Sequence, residues 1–299
     1  MKTPSYLKSG DCVGLVCTAR SFTTAEAQDA LQLLTDWGLQ AVLGKTIDSN
    51  VHQLGGTDEE RAQDFQEMLD NPTIKAIWIA RGGYGTVRII DQIDFSNFIK
   101  NPKWVIGFSD ITVLHSHIHN LGVTTLHAIM PFSVPKASIE AKETLRKALF
   151  NEPYDFTIAS DSQNKTGKAE GALIGGNLSI IYSLLGSNSS VDTSGKILYL
   201  EDLDEYLYHI DRMFHNLKRN GYFENLNGLI IGGMTDMHDN SIPFGYDVKQ
   251  TVREITKEYD FPICFNFPAG HLSDNRALKL GTRVSLAIDS VQTTLKYLE

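Results

Sequence analysis

Three residue types that together carry out acyl transfer occur where a fold could hold them still. Ser109 ends the apolar run of "WVIGFSDIT" (104–112) and precedes a helix-like segment. Gly107, two residues earlier, leaves out a side chain where a tight strand-to-helix turn would be crowded, as in a nucleophile elbow. The fit to G-x-S-x-G is partial, because Ile111 takes the place of the second glycine. A second reading stands beside it, in which Ser109 or Asp110 only caps the helix. A nucleophilic serine needs a base, and the base needs an orienting group. Glu201 directly follows the apolar "KILYL" (196–200), a strand end from which a carboxylate can orient a partner. Asp202, Asp204, Glu205 and Asp211 read instead as solvated acids at a helix start, where the helix dipole favours them. His271 lies in the loop "PAGHLSDNRAL" (268–278), after the apolar "FPICFNF". "RGGYG" (81–85) ends another apolar run, and its glycines let backbone N–H groups face a ligand. It matches neither G-x-x-x-x-G-K-[ST] nor G-x-G-x-x-G. It is therefore a plain turn or, beside a nucleophile, a source of an oxyanion donor.

Two other groups invite chemistry and are better explained without it. In "HSHIHN" (115–120), His115 and His119 share one side of a helix while His117 points away. Two ligands lacking a third make a poor zinc site, so this stretch reads as a partly exposed helix flank. Cys12, Cys17 and Cys264 form no CxxC pair, and Cys17 reads as a buried, inert thiol.

These residues need a scaffold, and the first 130 residues alternate strand-like and helix-like stretches. "CVGLVC" (12–17), "LQAVLG" (39–44), "IKAIWIA" (74–80) and "KWVIGF" (103–108) are apolar runs. Between them lie "TTAEAQDALQLLTDWG", opening on hydroxyl caps and closing on Gly38, and "TDEERAQDFQEMLDNP", with a Thr57–Glu60 capping box and a stop at Pro72. Continuous apolar strands separated by helices predict a parallel sheet covered on both faces, with ligands beyond its carboxyl edge. "RGGYG" and Ser109 both fall at that edge. "SIEAKETLRKALFN" predicts a connecting helix, and the polar 152–171 stretch a boundary. Beyond it come "KILYLED", a helix through "YHIDRMFHNLKRNG", "LNGLIIGG" and several short strands, a mixed α+β pattern. At about 150 residues per domain, 299 residues predict two. A net charge of −9 argues against nucleic-acid or anionic-membrane partners. Unpaired cysteines, with no signal-like segment and no long apolar run, point to the cytoplasm.

"RGGYGTVRII", "PKWVIGFSDIT", "GGNLS", "LEDLDEYLYHIDRM" and "PAGHLSDN", in this order over most of the chain, resemble the LD-carboxypeptidase family. Its members include muramoyltetrapeptide carboxypeptidases of peptidoglycan recycling and microcin C self-immunity proteins. The resemblance is specific because five separate motifs agree in order. It implies a Ser–His–Glu triad, carried onto Ser109, His271 and Glu201. It implies an α/β architecture: a flavodoxin-like parallel-sheet domain over 1–150 bearing the serine, and a smaller mixed α+β, barrel-like domain over 165–299 bearing Glu201 and His271. A homodimer is implied as well. Two departures stand out: "TTLHAIM" (124–130) has Ala128 and Ile129 where an HGP-like turn is expected, and "DEYLYHIDRM" lacks a proline. Both are expected to touch the substrate rim.

The reading that follows is a serine carboxypeptidase that releases D-alanine from a muropeptide tetrapeptide stem. The Asp110 N–H, with that of Gly82 or Gly83, would hold the oxyanion, and Arg81 is the candidate partner for the substrate carboxylate. Neither metal nor organic cofactor is required. Hydrolysis of acyl-sulfamoyl adenylates is the alternative within the same chemistry. A binding protein using "RGGYG" and "GALIGGN" as backbone cradles is the alternative outside enzymes.

Overall fold

The computed structural model describes residues 1–298 and contains two sheets. The first half supplies β1 (Cys12–Val16), α1 (Gln28–Asp36), β2 (Gln40–Leu43), α2 (Asp58–Asp70), β3 (Ile74–Ile79), α3 (Ser96–Lys100), β4 (Trp104–Gly107), α4 (Thr112–Asn120), β5 (Thr125–His127) and α5 (Ile139–Leu149). Its strands lie in the order β2-β1-β3-β4-β5, all parallel. This is the doubly wound flavodoxin-like order, whose ligand crevice opens where the order reverses, between β1 and β3. Both faces are covered, and β3 shows how: Ala76 and Trp78 join one buried cluster, Ile77 and Ile79 the other. That alternation explains the unbroken apolar runs of the sequence.

The second half supplies β6 (Phe156–Ala159), β7 (Gly167–Asn177), α6 (Leu178–Ser183), β8 (Ile197–Leu203), α7 (Leu207–Arg219), β9 (Gly228–Thr235), α8 (Val248–Ile255), β10 (Ile263–Cys264), β11 (Leu278–Leu280), β12 (Arg283–Ile288) and β13 (Gln292–Tyr297). Its sheet runs β10-β9-β8-β7-β12-β13-β6, parallel from β10 to β7 and antiparallel from there on. An antiparallel bridge between Lys165 and Ile263 ties the free edge of β10 to the chain just before β7. On β8 the apolar side chains divide again, Leu198 and Leu200 to one cluster and Ile197 and Tyr199 to the other. β11 does not join this sheet. It crosses back and pairs antiparallel with β5, so residues 278–280 extend the first sheet.

Two local expectations need correction. The Thr57–Glu60 capping box is present as read, but α1 opens without a hydroxyl cap. Its N-cap is Ala27, while Thr23 donates to Glu26 and Thr24 to Asp48 in the turn before it. Those hydroxyls found nearer carboxylates. Ala128 and Ile129 are buried in the core against the first sheet rather than at a rim, and only the next residue, Met130, reaches the cleft.

Candidate active site

Ser109 follows β4 at the carboxyl edge of the first sheet with φ of 64°. Among the described residues, every other non-glycine with positive φ is Asp, Asn or His, which tolerate this region. A serine there is the exception, and such a backbone costs about 1–3 kcal/mol. The turn is tight: a Cβ on Gly107 would come within 2.8 Å of Ile111. Residues 109–111 form a 3-10 turn leading into α4, and neither Ser109 nor Asp110 caps a helix through its side chain. Asp110 is buried, and burial raises its pKa; its Oδ2 accepts from the Thr86 N–H at 2.9 Å. The Ser109 hydroxyl turns toward His271, with Oγ 3.1 Å from Nε2.

His271 Nδ1 lies 2.6 Å from Glu201 Oε2, and the His271 backbone N–H donates to the same oxygen at 3.1 Å. Glu201 is fully buried within β8. Opposite it the β8–β9 register slips, Leu200 facing Ile231 but Asp202 facing Met234. Such bulges bend a strand and re-aim its side chains, often beside active sites. The His271 loop closes on the acid through Gly270, at φ of 106°, where a Cβ would stand 2.7 Å from the Glu201 Cβ. Asn275 Oδ1 accepts from the Gly270 N–H at 2.8 Å, and Ser138 before α5 donates to Asp274 at 2.8 Å. Phe108 packs on the imidazole with ring centroids 4.8 Å apart.

Burial pulls the His271 pKa down, but the charge of Glu201, its hydrogen bond and the charge of Asp202 outweigh it, and the net shift is upward. Asp202 is itself pushed up to about 6 by burial and by neighbouring Glu201. Its carboxylate accepts from Asn177 Nδ2 and the Ser179 N–H at 2.9 Å each. Asn177 in turn donates its backbone N–H to Thr112 Oγ1 at 3.0 Å. This series links β8 to α4, the helix behind Ser109. A hydroxyl, an imidazole and a buried carboxylate in this relation can pass a proton from the hydroxyl to the ring and stabilise the resulting imidazolium.

The site opens into a cleft of about 510 Å³ lined by residues of both halves. Gly82 abuts Ser109, its added Cβ falling 3.2 Å from the Ser109 Cβ. Arg81 also lines the cleft, its guanidinium 4.1 Å above the Phe132 ring and 3.9 Å from Glu26.

Residues 13–128 match the model of the LD-carboxypeptidase N-terminal domain, and residues 170–286 that of the C-terminal domain. A probable murein peptide carboxypeptidase of Bacillus subtilis is 35% identical over 295 residues, covering 95% of this chain and 91% of that one. The chain belongs to the LD-carboxypeptidase family. The microcin C7 self-immunity protein MccF of Escherichia coli is 27% identical, covering 98% of this chain and 95% of its own. Among solved structures, muramoyltetrapeptide carboxypeptidase from Oxalobacter formigenes shares the fold with a TM-score of 0.89 at 24% identity, covering 96% of this chain and 99% of that one.

Within this LD-carboxypeptidase fold, several contributors to the site carried no signal in the sequence. Arg61 on α2 is fully buried and donates to Thr18 O, to Gly85 O at 3.0 Å and to Asp58, pinning the loops after β1 and β3 together. Arg20 follows β1 into the cleft. A periodic pattern marks Arg61 only as one more helical cation, and nothing local distinguishes Arg20.

The histidine stretch differs from expectation. His115 is buried, not on a partly exposed flank, with Nδ1 2.8 Å from Thr125 Oγ1 and Nε2 2.8 Å from Gly107 O. Burial lowers its pKa to about 4. α4 lies between the two halves, so His117 meets Ser189 at 3.0 Å and Asn120 donates to Asn188 and Ser190. Among the described residues no cluster of three or more His, Cys, Asp or Glu is arranged to hold a metal, and no helix is long and apolar enough to cross a membrane.

Proposed function

We propose that the protein is a serine carboxypeptidase that hydrolyses an L,D-peptide bond and releases the terminal D-alanine from a peptidoglycan tetrapeptide stem. The observation that carries this reading is the Ser109–His271–Glu201 hydrogen-bond series, at 3.1 and 2.6 Å, in a member of this family. Ser109 Oγ attacks the scissile carbonyl carbon while His271 Nε2 takes its proton. Glu201 accepts from Nδ1–H, fixing the tautomer and stabilising the imidazolium. The Asp110 N–H and that of Gly82 or Gly83 hold the oxyanion, each such donor being worth roughly 3–4 kcal/mol in comparable sites. Collapse breaks the C–N bond, and His271 gives its proton to the departing amine. Water then enters, loses a proton to His271 and hydrolyses the acyl-enzyme. Arg81 pairs with the terminal carboxylate, which cannot be buried unpaired without large cost.

The test compares four substrates under identical conditions: a tetrapeptide ending in D-alanine, its C-terminal amide, the corresponding pentapeptide, and an aminoacyl-sulfamoyl adenylate. Mass spectrometry should find D-alanine released from the tetrapeptide, with little action on the amide or on the D,D bond. Cleavage of the adenylate with the tetrapeptide left intact would replace this reading by an immunity-type hydrolase.

A further inference from the structure

The edge of the first sheet opposite Ser109 gathers charge of one sign. Residues that precede β1, β3 and β4 enclose a cavity of about 820 Å³ at the amino ends of those strands. Lys2, Lys8, Lys75, Lys100 and Lys103 line it, and Asp11 is the one carboxylate among its lining residues. We propose that this cavity is a second ligand site, which takes a small oligophosphate, a molecule with two or more linked phosphate groups. β4 alone separates Lys103 from Ser109. At about 3.3 Å per residue, that sets the cavity roughly 15–20 Å from the cleft, so one small ligand cannot occupy both.

The cations are uncompensated. Among the described residues, the lysines that pair with carboxylates all lie elsewhere. The chain carries a net charge of −9, so the cluster is not the overflow of a basic surface. Lys103 is the strongest element. It is only 6% exposed, and its Nζ donates to Met68 O at 2.9 Å and to Asn71 O, at the end of α2. An ammonium has three donors, and the third has no partner among the described residues. Burial, with the charge of Lys75, holds its pKa down to about 8. A desolvated cation without a carboxylate is costly, and an anion brought into the cavity relieves that cost.

The walls are set in advance. The Lys2 N–H donates to Gly122 O at 2.7 Å, the Thr124 N–H to Lys2 O at 2.9 Å, and Trp104 Nε1 to Ser5 O at 3.1 Å. Lys2 Nζ and Lys75 Nζ each give one proton to a carbonyl, Ile99 O and Pro72 O, at 2.9 Å. Both keep further donors. Asp11 already accepts the Lys8 N–H at 2.9 Å. Lysine binds phosphate as a point charge, and a concave wall of one sign focuses the field. A single phosphate brings at most about two negative charges, and linked phosphates match the cluster better. Exposed Tyr6, its ring 5.8 Å from that of Trp104, offers a face for a base. The oligophosphate is therefore inorganic or part of a nucleotide.

The test measures binding of inorganic tripolyphosphate, ATP and orthophosphate by isothermal titration calorimetry. Tripolyphosphate or ATP should bind at least about tenfold more tightly than orthophosphate, and about tenfold more weakly as ionic strength rises from about 0.05 to about 0.3 M. Binding of ATP alone would assign the site to nucleotides; binding of both, to the phosphate chain. Lys75→Gln with Lys100→Gln, both exposed, should weaken binding about tenfold, a few-fold for each charge contact, with the thermal midpoint unchanged. Arg219→Gln with Lys257→Gln removes equal charge from the second half and should leave binding as it was. The proposal is overturned if the wild-type protein binds neither oligophosphate, or binds orthophosphate equally well. It is also overturned if the Lys75/Lys100 variant keeps full affinity, which would put the ligand in the cleft with Arg20 and Arg81, or if both double variants weaken alike. None of these outcomes bears on hydrolysis at Ser109.

Discussion

Ser109 stands one residue beyond Phe108 at the carboxyl edge of the first sheet, held in a left-handed backbone with φ of 64°. Glu201 lies inside a strand of the second sheet, and His271 rides on a loop 70 residues further along. The first group is aimed by its own neighbours: Gly107 admits Ile111, and α4 starts at once. The other two are aimed by distant segments: the slipped β8–β9 register, the close approach of Gly270, the Asn275 amide and the tie from Ser138. Ser109 is thus placed by a local conformational device, and the proposed acid–base pair of His271 and Glu201 by a tertiary one. Damage to the second should be graded, whereas loss of the first is absolute.

The largest effect tests the absolute end. Ser109→Ala should lower kcat by roughly a millionfold, as removal of a triad serine does elsewhere, while far-UV circular dichroism stays unchanged. Near-normal turnover in a verified Ser109→Ala sample would remove the hydroxyl from the chemistry and leave its strained backbone unexplained. Glu201→Gln should cost roughly 10³–10⁴ in kcat, because an amide at Oε2 disfavours the Nδ1–H tautomer. Glu205→Gln should cost about tenfold or less. The reverse ranking would place the orienting acid one loop position later.

Gly270→Ala probes the tertiary half without touching a reacting group. The added methyl needs space that the Glu201 side chain occupies, at a φ that alanine resists. A displacement on the order of 1 Å costs about a hundredfold in rate, so kcat should fall by that much with Ser109 still in place. Turnover close to wild type would show that the His271 loop tolerates far more movement than its packing implies. The histidines of α4 offer a contrast in stability. His115→Ala takes the buried imidazole partner from Thr125 Oγ1 and leaves Gly107 O with the Ala128 N–H, which should lower unfolding free energy by about 1–3 kcal/mol in a denaturant titration. EDTA should leave turnover unchanged; loss of activity restored by zinc would instead point to a bound metal.

The same contrast explains what the sequence disclosed. The strand–turn–helix setting of Ser109, the Thr57–Glu60 cap and the buried β3 run were legible because spacing within ten residues determines them. Glu201 and His271 stood out only by position after apolar strands; their pairing needed the family resemblance, since no periodicity relates residues 201 and 271. β11 was not legible as part of the first sheet, because a three-residue edge strand carries too little pattern to declare its partner. His115 was misread as half exposed because a single helix does not announce that both its sides are covered, one by its own sheet and one by the second half. Ala128 and Ile129 were misplaced for the same reason, their neighbours Trp78 and Gly107 coming from other strands: Trp78 Nε1 donates to Ile129 O at 2.7 Å, and the Ala128 N–H to Gly107 O at 3.1 Å.

The smallest effect concerns proton affinity, and its sign follows from the geometry. As the proposed base, His271 is competent only when neutral, so kcat/KM should rise with pH as the ring loses its proton. Burial draws its pKa down, but Glu201 and then Asp202 hold the net value above the ordinary histidine range. The acid limb of the profile should therefore lie above about 6.5. Asp202 makes no hydrogen bond to the ring; with its oxygens engaged by Asn177 and Ser179, it acts on His271 as one negative charge. Asp202→Asn removes that charge while keeping an oxygen for Asn177, so the limb should move to lower pH. The shift should be less than about one unit, smaller than the 1–3 units of an opposite charge in direct contact. Because the Asp202 carboxyl is itself pushed up to about 6, its influence should weaken in the acid half of the profile, and wild type and variant should converge there. A limb that does not move, while Asp202→Asn lowers kcat uniformly at every pH, would mean that Asp202 serves only the hydrogen-bond chain through Asn177 to Thr112 and leaves the proton affinity of His271 to Glu201 alone.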